Sequence, residues 1–123
     1  MAVVYSTTLK NTRLDAVTTA IGATGQLLIG TAGMATTLAT ITLSNPAAAA
    51  AASGVLTLSG FPKSDTSADA TGTPAAAKIT DGTNDVVTGL TVGTATTANI
   101  VISSTAITAG ETVTVNSGVF THG

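Results

Sequence analysis

The chain has no cysteine and no tryptophan, and Tyr5, Phe61 and Phe120 are its whole aromatic supply. Without cysteine, disulfides and thiolate chemistry are excluded, and cysteine usage says nothing about the compartment. Charge is nearly as scarce: 8% of the 123 residues are charged, against roughly 25% in an ordinary soluble domain. The basic residues Lys10, Arg13, Lys63 and Lys78 are scattered and the net charge is −2. With no basic face and no interleaved aromatics, no nucleic-acid partner is expected. Long apolar runs are missing as well. Mean hydropathy is +0.50, yet the longest run, Pro46 to Ala52, is far shorter than the roughly 18–20 residues of a membrane helix. No membrane partner is expected, and the start has no basic segment followed by a leucine-rich one, so no signal peptide is expected.

Catalytic parts are also wanting. The one histidine, His122, stands next to the last residue, where side chains are seldom ordered enough for acid–base work. No serine lies in a G-x-S-x-G elbow. Gly22 to Gly25 and Gly30 to Gly33 resemble phosphate cradles only in their glycines, since no G-K-[ST] or G-x-G-x-x-G follows; they read as turns. Asp65 and Asp69 invite a calcium reading, but no glutamate closes the loop as known calcium loops require. No enzyme activity, cofactor or metal is expected.

What remains is Ala, Thr, Gly, Ser and Val, and their order is informative. Ser6 or Thr7 can cap a helix. Leu14, Val17 and Ile21 then fall on one stripe, and Gly22 supplies a terminator. A single helix over Thr7 to Ile21 follows. Beyond it the period becomes two. Gln26 to Thr31 places Leu27 and Ile29 on one face, and Thr37 to Ser44 alternates Ala39, Ile41 and Leu43 against threonines. Val55 to Ser59, Asn99 to Ser103 and Glu111 to Asn116 read as further strands, with Val119-Phe120 as a short last one. The six alanines Ala47 to Ala52 favour a helical turn by propensity but are too few for a helix, leaving a loop or a single turn. Lys63 to Pro74 reads as a loop, and Gly93 to Ala98 as a turn.

The centre of the chain is Ala77 to Thr80 and Val86 to Val92 around Asp81-Gly82, a strong hairpin signal. Asn84 and Asp85 leave a longer loop open. Strands about ten residues apart imply a single mainly β domain over residues 1–123: an antiparallel β-sandwich or small β-barrel with one N-terminal α-helix. So few charges on so many small residues suit a surface buried against other subunits. A threonine surface kept soluble by its hydroxyls is the other route.

Taken together, Tyr5 to Leu14 (YSTTLKNTRL), Ile29 to Ala35 (IGTAGMA), Lys63 to Thr73 (KSDTSADATGT) and Asp85 to Thr94 (DVVTGLTVGT) resemble a family of small virion-associated proteins of tailed bacteriophages. The resemblance spans about Ala2 to Val115, and the alanine tract departs from it. It implies a head decoration, or cement, protein bound as a homotrimer to the major capsid protein, on the outer surface of an icosahedral capsid. The expected subunit or capsid contacts are Val3, Val4 and Tyr5 of the arm and Lys63, Asp65 and Asp69 of the loop. A head–tail connector or tail component, and a β-rich host-surface binding module, are the alternatives.

Overall fold

The computed structural model describes residues 4–121. The helix α1 spans Thr7–Ile21, as its spacing predicts. The Ser6 hydroxyl accepts from Leu9 N–H at 3.2 Å. Gly22 closes the helix with φ +67° and donates to the Thr18 carbonyl. That conformation is open to glycine without a Cβ penalty. Leu14 and Ile21 are buried, and Val17 packs beside them.

Two sheets face each other across one continuous apolar core, so the architecture is a sandwich. In the first sheet, β1 (Gln26–Gly30) lies between β2 (Thr37–Thr42) and β5 (Ala76–Thr80), and β6 (Asp85–Leu90) follows β5; every pair is antiparallel. Leu27 and Ile29 oppose Ile41 and Ala39 on one side and Ile79 and Ala77 on the other. All six are essentially sequestered from water, which is the two-residue period expressed as packing.

In the second sheet, β9 (Val113–Thr121) is the spine. One flank pairs with β8 (Ile100–Ile102); the other takes β3 (Val55–Thr57) at one end and β4 (Lys63–Asp65) at the other. The expected strands Glu111 to Asn116 and Val119-Phe120 are thus joined in one strand, which begins at Val113. β7 (Val92–Gly93) pairs parallel with β8, so this sheet is mixed rather than wholly antiparallel, and Gly93 belongs to a strand rather than a turn.

The alanine tract is neither helix nor free loop. Ala47 and Ala48 are buried, Ala48 bridges to Leu58, and Ala52 pairs with Val55 around Ser53-Gly54. Both turn residues have positive φ, +55° and +73°, the requirement of a two-residue type I′ hairpin. The helix clamps this hairpin. Asn11 Oδ1 accepts from Gly54 N–H at 2.9 Å and Asp15 Oδ1 accepts from Ala51 N–H at 2.8 Å. Their four-residue spacing puts both acceptors on one helix face. In contrast, only Gly82 of the Asp81-Gly82 pair takes a positive φ, and residues 81–84 form the longer loop, with Thr80 opposite Asp85.

Candidate functional site

Of the residues expected to make outside contacts, Val3 lies outside the described residues. Val4 is 84% exposed and Tyr5 38% exposed, and Leu9 on the first helical turn is 42% exposed. These are the exposed large hydrophobics among the described residues. Arg13 lies over the Tyr5 ring, 4.8 Å from its centroid, a cation–π contact that fixes the arm against the helix.

Lys63, Asp65 and Asp69 are placed differently from the loop expectation. Lys63 to Asp65 form strand β4, opposite Val115, Thr114 and Val113, and Ser64 and Thr114 share a hydroxyl hydrogen bond of 3.1 Å. The two aspartates converge on Thr40. Asp65 Oδ2 accepts from Thr40 N–H at 3.0 Å, Asp69 Oδ2 accepts from the Thr40 hydroxyl at 2.9 Å, and Asp69 N–H donates to the Leu38 carbonyl at 2.7 Å. Asp65 Oδ1 also takes the Ser67 N–H. These bonds occupy the outward edge of β2, which otherwise offers unpaired groups to a foreign strand. Asp65 and Asp69 therefore seal the sandwich, and of the two only Asp69 remains exposed. The opposite edge of the same sheet, β6, is interrupted by register shifts against β5 on either side of Ile79. Bulges of this kind also blunt an edge. Neither outer edge of this sheet presents a regular ladder.

Beside β6 lies a half-open cleft of about 380 Å³, lined by Gly33, Met34, Ala76, Lys78, Asp85, Thr88 and Gly89. Its volume is within the span of small ligand pockets, roughly 300–1,000 Å³. Lys78 Nζ and Asp85 Oδ1 meet across one wall at 3.1 Å. Unusual backbone gathers here: Gly33, Met34 and Gly89 have φ of +67°, +57° and +74°. Met34 is not glycine, so its conformation carries strain that the surrounding structure holds in place. Sequence reasoning missed this cleft. Its one legible trace was the gathering of Lys78 and Asp85 in the central hairpin, Lys78 on its first arm and Asp85 in the possible extension of its loop.

The other polar clusters act within the fold. Asn99 Oδ1 accepts from both the Thr91 N–H and hydroxyl at 3.0 Å, and Asn99 Nδ2 donates to the Val119 carbonyl at 3.3 Å. This side chain ties the β6–β7 crossover to β8 and β9. In the 81–84 loop, N–H groups of Asn84 and Thr83 donate to Asp81 Oδ1 at 2.7 and 2.9 Å. Those two donors hold the Asp81 carboxyl below its ordinary value, the Asn84 bond being the larger cause. Because the folded value is lowered, the carboxylate's support of the loop is complete above the ordinary aspartate range near 3.9. It fades as pH falls through the lowered folded value. An NMR titration should place the Asp81 midpoint below that of free aspartate, with the Thr83 and Asn84 amide shifts following the same curve. A midpoint at or above the free value would refute this assignment.

Among the described residues, no group of three or more His, Asp or Glu side chains is placed to hold a metal ion, and no helix is long and apolar enough to cross a membrane. Fold and surfaces together define a two-sheet β-sandwich with one helix clamped onto it. No protein-family model, curated protein or solved structure matches the chain.

Proposed function

We propose that this chain is a structural assembly protein, a head decoration protein that binds the outside of an icosahedral phage capsid and stiffens it. The observation that carries the assembly reading is the distribution of its surface. Charge is 8% of residues, while Val4, Tyr5 and Leu9 bring exposed apolar area together at one corner. Charge keeps free proteins apart, and exposed apolar patches mark places where other proteins sit. The polar side chains Asn11, Asp15, Asp65 and Asn99 are engaged in holding backbone, and Asp69 holds the Thr40 hydroxyl, as in a rigid scaffold. The capsid as the particular partner rests on the sequence resemblance to small phage virion proteins. A decoration protein that binds only the closed shell stabilises it by mass action.

The test is the copy number of the chain in purified particles, by quantitative mass spectrometry against the major capsid protein. A ratio near one to one, or another large fraction set by icosahedral symmetry, is expected. A ratio of a few per cent would move the protein to a connector or tail role. Absence from particles would remove the virion reading.

A further inference from the structure

We propose that Asp81-Gly82 is the chain's site of spontaneous aspartate isomerisation, and that the folded loop restrains the reaction by gripping both reacting groups. An aspartate isomerises when the backbone nitrogen of the next residue attacks its side-chain carboxyl carbon. A C–N bond forms, the hydroxyl of the acid and the proton of the nitrogen leave as water, and a five-membered succinimide remains. Water then adds to either ring carbonyl. One product is the original aspartate; the other is isoaspartate, in which the main chain runs through the side-chain carboxyl. One water is lost and one is gained, so no other reactant is needed.

A side chain on the following residue shields the attacking nitrogen, and glycine has none. Asp81-Gly82 is the one Asp-Gly or Asn-Gly pair in the sequence; the other aspartates precede Ala16, Thr66, Ala70 and Val86. Gly82 is exposed, so water reaches the ring. The glycine is also required by the turn. Its φ is +101°, and an added Cβ would stand 3.0 Å from the Thr24 carbonyl oxygen. The residue that opens Asp81 to attack is therefore the one the fold demands there.

The loop holds each group that has to move. Asp81 Oδ1 is tied to the N–H groups of Thr83 and Asn84, beyond Gly82. The same donors keep the carboxyl ionised, whereas the form that loses water is the acid. The peptide group between the two residues is held at both ends. Its carbonyl accepts from the Thr24 hydroxyl at 2.6 Å, and its N–H donates to the Thr80 hydroxyl at 3.2 Å. Asp81 N–H donates to the Asn84 carbonyl at 3.0 Å. Ring closure turns this peptide group to bring the Gly82 nitrogen onto the carboxyl carbon, so the bonds have to open first. Isoaspartate would lengthen the main chain by one carbon between Thr80 and Asp85, which face each other across β5 and β6. It would thereby loosen the start of β6, where Asp85 pairs with Lys78.

The test incubates the full chain at neutral pH in heavy-oxygen water, folded or unfolded in guanidinium chloride. Isoaspartate is then read at each aspartate by peptide mass spectrometry, with fragmentation that separates the isomers. In the unfolded chain, labelled isoaspartate should accumulate at residue 81 ahead of the other four aspartates. In the folded chain the rate at this site should fall at least about tenfold, since the reaction waits on local opening. Thr24→Val keeps the branched shape of an exposed side chain and removes one bond. It should raise the folded rate about fivefold, the weight of one ordinary hydrogen bond, with unchanged circular dichroism. Equal rates in folded and unfolded parent chains, or a folded Thr24→Val chain no faster than the parent, overturn the grip. Isoaspartate no more abundant at Asp81 than at Asp85 in the unfolded chain overturns the site. The comparison of folded with unfolded parent decides the grip even where the variant does not fold.

Discussion

Ile21→Ala should lower the unfolding free energy by about 4 kcal/mol, the largest loss expected from a single substitution discussed for this chain. Ile21 is 0% exposed and is the last residue of α1, with Leu14 and Val17 on the same stripe. Its methyl carbon also fills the space above Gly25, where the chain turns into β1. Removing the side chain loses both the apolar transfer term and the cavity term, because a helix fixed by the Asn11 and Asp15 clamps cannot slide inwards to fill the void. The measurement is urea unfolding followed by circular dichroism. Thr19→Ala is the control. Thr19 is exposed and its hydroxyl bonds back to the Asp15 carbonyl, so its loss should stay within about 0.5 kcal/mol. Equal effects at the two positions would mean that α1 is not docked through this stripe.

Gly30→Ala should cost about 3 kcal/mol, and the reason is backbone rather than side chain. Gly30 stands between β2 and β5 at a register shift. An added Cβ would lie 2.7 Å from the Thr36 carbonyl oxygen and 2.8 Å from Met34 Sδ. The methionine can swing away, but the carbonyl is held by a 3.0 Å hydrogen bond from Thr31 N–H. Overpacking of this kind commonly costs 1–3 kcal/mol, with the upper end where the neighbour cannot yield. At this chain length the loss corresponds to a fall in Tm of roughly 10 °C. Gly30→Ala combined with Met34→Ala separates the two contacts: relieving only the sulfur should recover a minor part of the loss. Full recovery would show that the Thr36 carbonyl is not the barrier.

Most of the secondary structure was legible because it is written in local periods. Ser6, the Leu14–Val17–Ile21 stripe and Gly22 delimit α1 without help from the rest of the chain. The two-residue alternations of β1, β2, β5 and β9 likewise name their own buried faces, whereas β8 is buried at all three of its positions. Lys63 to Asp65 could not be recognised this way. Its residues are polar and only partly buried, and it is a strand because Val113 to Val115 offers a ladder beside it. Val92-Gly93 is a strand for the same reason, supplied by β8. The hairpin signal at Asp81-Gly82 left the turn type open and the structure makes it a longer loop, while the two-residue turn with both φ positive occurs at Ser53-Gly54, where the helix provides acceptors for the hairpin.

The candidate surfaces divide in the same manner. Val4 and Tyr5 were legible as an apolar arm. Asp65 and Asp69 were legible as charges in a polar stretch, but their roles were not, since nothing local links them to Thr40, 25 and 29 residues away in sequence. Nor does any local pattern bring Met34 to Thr88 and Lys78 to form a cleft.

By itself the sequence determined the helix, the core-facing strands, the want of charge and the β-rich class, because each depends on neighbours within a few positions along the chain. Only the tertiary structure decided that there are two sheets rather than a barrel, that one edge is sealed by aspartates, and that a cleft opens beside the other. Those features arise from contacts between residues distant in sequence, whose energies come from packing and from pairing backbone groups that would otherwise be left without partners.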